Sequence, residues 1–295
     1  MTASTLSRFG TRRAALAGCL VLIAMSVAGC TSNANIRPQF FWDSLFHPSP
    51  ALVNGIGLTL VISVVAQAIG VVLGVFAAIA KMAKFSPFRY ISSLYVWLFR
   101  GTPLLVQLMF FYYGFPTAGI FKWPAIVFGP VNILPAVFAG IIILGINEGA
   151  YMAEIVRDGI LSVDPGQTEA SKSLGMTYGQ TMRRIVLPQA ARVIIPPLGN
   201  EFNNMLKTTS LLTVISVFEL YNTTSVAAGH SYATLELFAG AAVWYLLMTT
   251  TWGFVQARIE RRFSRGTSTL SGGGAGPRNP GFAARFMSLR APIEQ

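Results

Sequence analysis

Several ionisable and amide side chains lie inside runs that are otherwise apolar. Asn147 and Glu148 sit within one long apolar run, Glu201, Asn203, Asn204 and Lys207 within another, and Arg100 closes a third. A charged group in such a run is costly unless it faces a cavity, a partner or a bundle interior, so each is a candidate site residue. On a helix, Asn147, Tyr151 and Glu154 share one face with Glu148 beside it, and Glu201, Asn204 and Thr208 share another. Two carboxylates lining one cavity would suit an ammonium group or a basic side chain. The competing reading pairs Glu201 with Lys207 or nearby arginines and has Glu148 hydrogen-bond between helices. Arg100 reads either as a contact for a carboxylate or as a packing charge held by Gly101 and Pro103. Glu154, with Arg157 one turn on, reads as a structural ion pair.

Other chemistries find no footing. Residues Gly166 to Ser173 approach a phosphate loop, but Ser171 stands where the second glycine is required. His47 and His230 lack Asp, Glu or Cys at ligand spacing, which argues against metal binding or catalysis there. Cys19 and Cys30 both fall near the N-terminus and offer neither a disulfide framework nor a metal site to the rest of the chain. The sequence therefore implies no enzyme and no metal or other cofactor in this chain.

The elements that must position these residues are membrane helices. Apolar residues make up 53% of the chain and charged residues 11%, far from the balance of a soluble domain. Runs long enough to cross a bilayer lie at residues 56–80, 91–115, 131–155, 198–217 and 237–255, giving an all-α membrane protein with five mature spans. A further apolar run at 14–29 follows Arg8, Arg12 and Arg13 and ends before Cys30, which reads as a signal or anchor helix. Cys30 stands where a lipid-modified cysteine would follow signal cleavage, and an uncleaved anchor is the other reading. Lys81, Lys84, Arg89, Arg157, Lys172, Arg183, Arg184, Arg192, Arg258, Arg261, Arg262 and Arg265 fall on one side, while the opposite loops at 116–130 and 221–234 carry only Lys122. Basic flanks stay cytoplasmic, so the segment after Cys30 begins outside and the C-terminus ends inside. The net charge of +11 is accounted for by these flanks and needs no nucleic-acid partner.

Between two spans lies a polar, basic stretch, 169–190, that no membrane helix needs for its own stability. Pro165 and Gly166 break the preceding helix, Thr168 can cap a new one, and Glu169 complements the dipole of its first turn. Gly175 permits a sharp reversal, and a second helix runs from Thr177 to a break before Pro188. The arrangement presents a short helix, across two turns, to something in the cytoplasm. Gly55, Gly70 and Gly74, with Ala66 and Ala77, give the first span small faces for close contact, either with a second subunit or within this one.

Three blocks carry a resemblance. Glu169, Ala170, Gly175, Leu187 and Pro188 are spaced like the coupling loop of ABC importer permeases. Residues 99–107, FRGTPLLVQ, followed by FFYYG, look like the hallmark of permeases for polar amino acids. Residues 150–155, AYMAEI, with Arg157, Gly159 and Ile160, and later LKTTSL and SVFEL, are similar to the same family across about 54–262. The resemblance implies a type I ABC importer transmembrane domain: two permease subunits, two ABC ATPase subunits that bind ATP and Mg, and an extracytoplasmic solute-binding protein, in the bacterial inner membrane and its lipid. Thr168, Glu169, Ala170, Leu174, Gly175 and Met176 would dock on the ATPase, and Glu148, Glu201, Asn204 and Arg100 would be candidates for the substrate path. The implied organisation is a signal or anchor segment at 1–30, an external segment at 31–53, a transmembrane domain at 54–262 with the coupling loop at 164–190, and a flexible cytoplasmic tail at 263–295. An ion-coupled secondary transporter or channel is the alternative; it would show inverted repeats or a ring of pore charges, and neither is read here.

Overall fold

The computed structural model describes residues 36–128 and 131–263. The signal or anchor segment with Cys30, and the tail, lie outside these residues. Along the chain come α1 (Pro38–Phe46), α2 (Pro50–Met82), α3 (Ser86–Gly101) and α4 (Leu104–Met109), the last continued by a π-helical turn, Phe110–Gly114. A two-stranded antiparallel hairpin follows, β1 (Ile126–Phe128) pairing with β2 (Val131–Ile133) in the register Val127 to Asn132. Next are α5 (Pro135–Leu161), α6 (Pro165–Ser173), α7 (Tyr178–Thr181), a π turn at Met182–Val186, α8 (Leu187–Thr208), a 3₁₀ segment at Thr209–Ile215, α9 (Leu220–Ser231) and α10 (Thr234–Phe263).

Three of these helices, α2, α5 and α10, are long and apolar enough to cross a membrane unbroken, and the count reaches five if each of two broken pairs is one span. The breaks were not expected and have local causes. The run at 91–115 is interrupted between α3 and α4 at Thr102 and Pro103; proline disfavours the helical region for the residue before it. The run at 198–217 ends at Ser216, whose φ of 61° is left-handed, and α9 occupies most of what was expected to be an external loop at 221–234. Residues 131–133 pair as a strand, so the third span begins at Pro135 rather than at 131.

Contacts divide the chain into two units. Among the described residues, the first comprises 36–69, Thr102–Asn147 and Met205–Met248. Its core gathers Ile62, Leu108, Ile143, Leu144, Leu212 and Ile215, with a smaller cluster of Leu52, Leu220 and Ala241 against Trp244 and Tyr245. The second comprises Gly70–Gly101, Glu148–Asn204 and residues 249–263, and its core is built on Ala78, Val156, Ile160, Val186 and Ala190.

Within the second unit the small residues of α2 serve packing inside the chain. A Cβ on Gly70 would meet Glu148 Cγ at 2.5 Å, and one on Gly74 would meet the Met152 backbone carbon at 2.9 Å. The favour is returned from α5, where a Cβ on Gly149 would lie 2.6 Å from the Tyr95 hydroxyl and 2.9 Å from Leu73 Cβ. Small residues at four-residue spacing let two apolar helices approach closely where dispersion, rather than water, supplies the attraction. Gly55 is likewise filled from within the first unit, by Thr223 and the Glu219 backbone.

Candidate functional site

The polar segment between α5 and α8 forms a self-supporting projection. Asp164, not Thr168, caps α6: its carboxylate accepts the Gly166 N–H at 2.8 Å, and Pro165 at the first helical position starts the helix instead of ending the previous one. Asp164 is both exposed and acidic at the helix start, so it out-competes Thr168, which lies within the first turns. The C-terminus closes by a paired motif in which Met176 N–H donates to Ser171 O at 3.1 Å and Gly175 N–H to Lys172 O at 2.9 Å. Gly175 takes φ of 78°, the left-handed conformation this closure requires. Thr177 and Gln180 then cap α7 reciprocally.

No break precedes Pro188. The chain passes from α7 through the π turn, where Leu187 N–H donates to Met182 O, directly into α8. A proline in the first turn of a helix costs no hydrogen bond, and the π turn resets the register just ahead of it.

The projection is pinned by its underside. The hydroxyls of Ser171 and Thr181, 1% and 2% exposed, are 2.8 Å apart, and Ser171 Oγ also lies 2.8 Å from Thr168 O. With α6 and α7 tied in this way, most of the remaining residues of the projection are left exposed. Glu169, Ala170 and Gly175 are exposed, Leu174 is 80% exposed, and Thr168 and Met176 are half-buried. Tyr178, 71% exposed, extends the same projection and escaped the sequence reading, although an aromatic just past a reversal is an interface signal. The Glu169 carboxylate makes no ion pair among the described residues. Arg183 and Arg184, with Thr177, Gly179 and Gln180, line a shallow recess alongside.

The polar groups of the spans divide by environment. Glu148 is buried, its stem seated against Gly70 and its carboxylate close enough to the Tyr95 phenol to interact electrostatically. Glu201 is half-buried and Asn204 exposed, both on α8, where Asn203 Oδ1 is a buried acceptor without a hydrogen bond among the described residues. Arg100 is exposed and lies over the Tyr151 ring at 5.3 Å, a cation–π contact that neither sequence reading foresaw. Glu154 pairs with Arg157 at 3.7 Å as expected and, more closely, with Lys81.

Two buried polar knots in the first unit were missed. Gln107 donates to Thr102 O at 3.1 Å and to Thr102 Oγ1 at 2.8 Å, and accepts from Asn147 Nδ2 at 2.9 Å, so it supplies the carbonyl exposed by the helix break. Glu219, fully buried, caps α9 through Asn222 N–H at 2.9 Å and accepts from Tyr245 at 2.8 Å and Thr59 at 3.3 Å. Both stand in blocks, FRGTPLLVQ and SVFEL, that the sequence marked as family-like without a structural reason.

The chain that carries this projection is similar to known proteins. The sequence profile of the binding-protein-dependent transport system inner membrane components matches residues 70–265. The chain belongs to that family. Among the family's curated members, the arginine transport system permease protein of Corynebacterium glutamicum is 41% identical over 219 residues, 72% of this chain and 68% of that one. The glutamine transport system permease protein of Escherichia coli is 36% identical over 76% of this chain and 98% of its own length. Among solved structures, an amino acid ABC transporter crystallised with histidines aligns at a TM-score of 0.65 and 39% identity over 72% of this chain and 94% of that chain. An inward-facing methionine ABC transporter aligns at a TM-score of 0.60 with 19% identity, over 73% of this chain and 97% of that one, which speaks for the fold alone. As a permease of this family, the chain is a non-catalytic membrane subunit. Family membership lends no support to the ion-coupled transporter or channel alternative.

Proposed function

We propose that this permease is the transmembrane subunit of an ATP-driven importer for polar amino acids, basic ones or glutamine among them, and that α6 with Gly175 is the part on which a separate ABC ATPase acts. The observation that carries the reading is the projection itself: a nine-residue helix with exposed Glu169, closed by exposed Leu174 and braced by the buried Ser171–Thr181 hydroxyl pair. A short helix held at both ends by caps and from behind by buried hydrogen bonds moves as a rigid body. Closure of an ATPase dimer that binds ATP and Mg is thereby passed to α5 and α8, which flank it. An extracytoplasmic solute-binding protein would deliver substrate, and a second permease chain, the same or related, would complete the path in the inner membrane. The basic residues at the ends of α2 and α10 and within α6 to α8 support a cytoplasmic C-terminus.

For the substrate path the environments favour Glu201 and Asn204 over Glu148. Glu148 is seated against Gly70 and Tyr95 as a helix-packing carboxylate, and Arg100 is engaged with Tyr151.

The test reconstitutes the chain with its ATPase and binding protein and follows uptake of radiolabelled arginine and glutamine alongside ATP hydrolysis. Glu169→Ala removes an exposed carboxylate without touching the brace. Gly175→Ala adds a Cβ that meets nothing within 4 Å, so its effect is purely the strain of a left-handed alanine, about 1–2 kcal/mol. Both variants should insert normally and lose the coupling of hydrolysis to uptake. Wild-type uptake by both would overturn the assignment.

A further inference from the structure

The short helix ahead of the first span has one side bound and the other bare. On the bound side, Arg37 N–H donates to Glu236 Oε1 at 2.6 Å and its guanidinium donates to Ser231 O. Further along, Trp244 Nε1 donates to Ser44 O at 3.0 Å, and the Ser44 side chain fills the space where Gly240 has no Cβ. Glu236, Gly240 and Trp244 are successive turns of one face of α10, so α1 runs beside α10 in the same direction, over about 12 Å of its rise. On the bare side, Trp42 and Phe46 stack one turn apart with ring centroids 5.7 Å apart, and are 53% and 69% exposed.

The level of this bare face relative to a membrane follows from its neighbours in the same unit. Arg37 is held at Glu236, just before the apolar run of α10 at 237–255, whereas Ser44 is level with Gly240 and Trp244, inside that run. Trp42 therefore falls at the border of the hydrocarbon and Phe46 a turn below it. The span that starts four residues after Phe46 exposes Val53, Leu60 and Val61, which continues the apolar exposure downward. Tryptophan is favoured at the headgroup level and phenylalanine deeper, while the Arg37 guanidinium, on the Ser231 carbonyl, and the Glu236 carboxylate, on the Arg37 N–H, remain at the polar edge.

We propose that α1 is a membrane-interface wedge: it enters the outer leaflet beside α10 and buries Trp42 and Phe46 in lipid, rather than forming part of an external segment at 31–53. The occupant of the bare face is the phospholipid at the headgroup–acyl boundary. Its consequence is that Glu236 and Trp244 fix the start of α2 against the bilayer through α1, since only His47 to Ser49 separate the two helices.

Site-directed spin labelling tests this in the full chain reconstituted into phosphatidylethanolamine–phosphatidylglycerol nanodiscs. Cys19 and Cys30 are replaced by serine, and one label is introduced at a time by Gln39→Cys, Trp42→Cys or Phe46→Cys. These three side chains face outward, so labels there leave the buried contacts of α1 intact, and retained uptake with the partner proteins verifies the fold. The expected result is greater accessibility to oxygen than to a water-soluble nickel chelate at 42 and 46, increasing from 42 to 46, with the order reversed at 39. High nickel accessibility at 42 and 46 would overturn the proposal in favour of a water-exposed face for a soluble protein. Labels shielded from both reagents would overturn it in favour of a face covered by another chain.

Discussion

A methyl group added at Gly74 and the same methyl added at Gly57 should have opposite consequences, although both glycines lie on α2. At Gly74 the new carbon would meet the Met152 backbone, which cannot swing away as a side chain would. Overpacking of this kind costs about 1–3 kcal/mol. At Gly57 nothing lies within 4 Å, and alanine in a helix is favoured over glycine by up to about 1 kcal/mol. Gly74→Ala should therefore lower the melting midpoint of the detergent-solubilised chain and Gly57→Ala should leave it unchanged or raise it; equal shifts would count against the α2–α5 seam. Sequence alone marked Gly70 and Gly74 as small faces but could not say what fills them, because spacing gives a face and not its neighbour. Gly175 was legible for the opposite reason, since a glycine between two helical patterns has a backbone role of its own. The Ser171–Thr181 brace was not legible: hydroxyls are ordinary in polar segments, and only the reversal at Gly175 brings these two together.

The elements that departed from expectation are those broken by a polar knot, and hydropathy is blind to such knots because one glutamine or glutamate hardly changes a window of about 20 apolar residues. At the α3–α4 break, Gln107 provides the donor for Thr102 O and the acceptor for Asn147, at 5% exposure. Gln107→Leu keeps the volume and removes both bonds, at about 1–3 kcal/mol for a buried polar group that loses its partner. The melting midpoint should fall by several degrees, and Gln107→Glu, which sets a buried carboxylate oxygen against the Thr102 carbonyl in place of the donating amide, should fall at least as far. At α9 the knot is larger. Glu219→Ala removes three acceptor contacts at once and uncaps the helix, so it should be the more damaging change, with expression itself reduced. A Glu219→Ala chain as stable as wild type would mean that the apolar cluster of Leu52, Leu220 and Ala241 holds α9 unaided.

Across the whole molecule, the charge pattern that was read from the sequence meets the positions of the helix ends. Lys81 closes α2, Arg261 and Arg262 close α10, and the projection with Lys172, Arg183 and Arg184 lies between α5 and α8, while Lys122 is the only basic residue in the connection carrying the hairpin. Each basic flank favours the cytoplasmic side, and no single charge decides the matter, so the orientation should withstand loss of any one of them. A green fluorescent protein joined after Phe263 should fluoresce in intact cells, and alkaline phosphatase inserted after Lys122 should be active. Replacing Arg258, Arg261 and Arg262 together by Gln should leave both readouts in place, because the flanks of α2 and α5 to α8 still hold their side. An inactive phosphatase at 122 with a dark C-terminal fusion would invert the chain. The projection at Glu169 would then face away from any cytoplasmic ATPase, and the coupling role would fall with the topology.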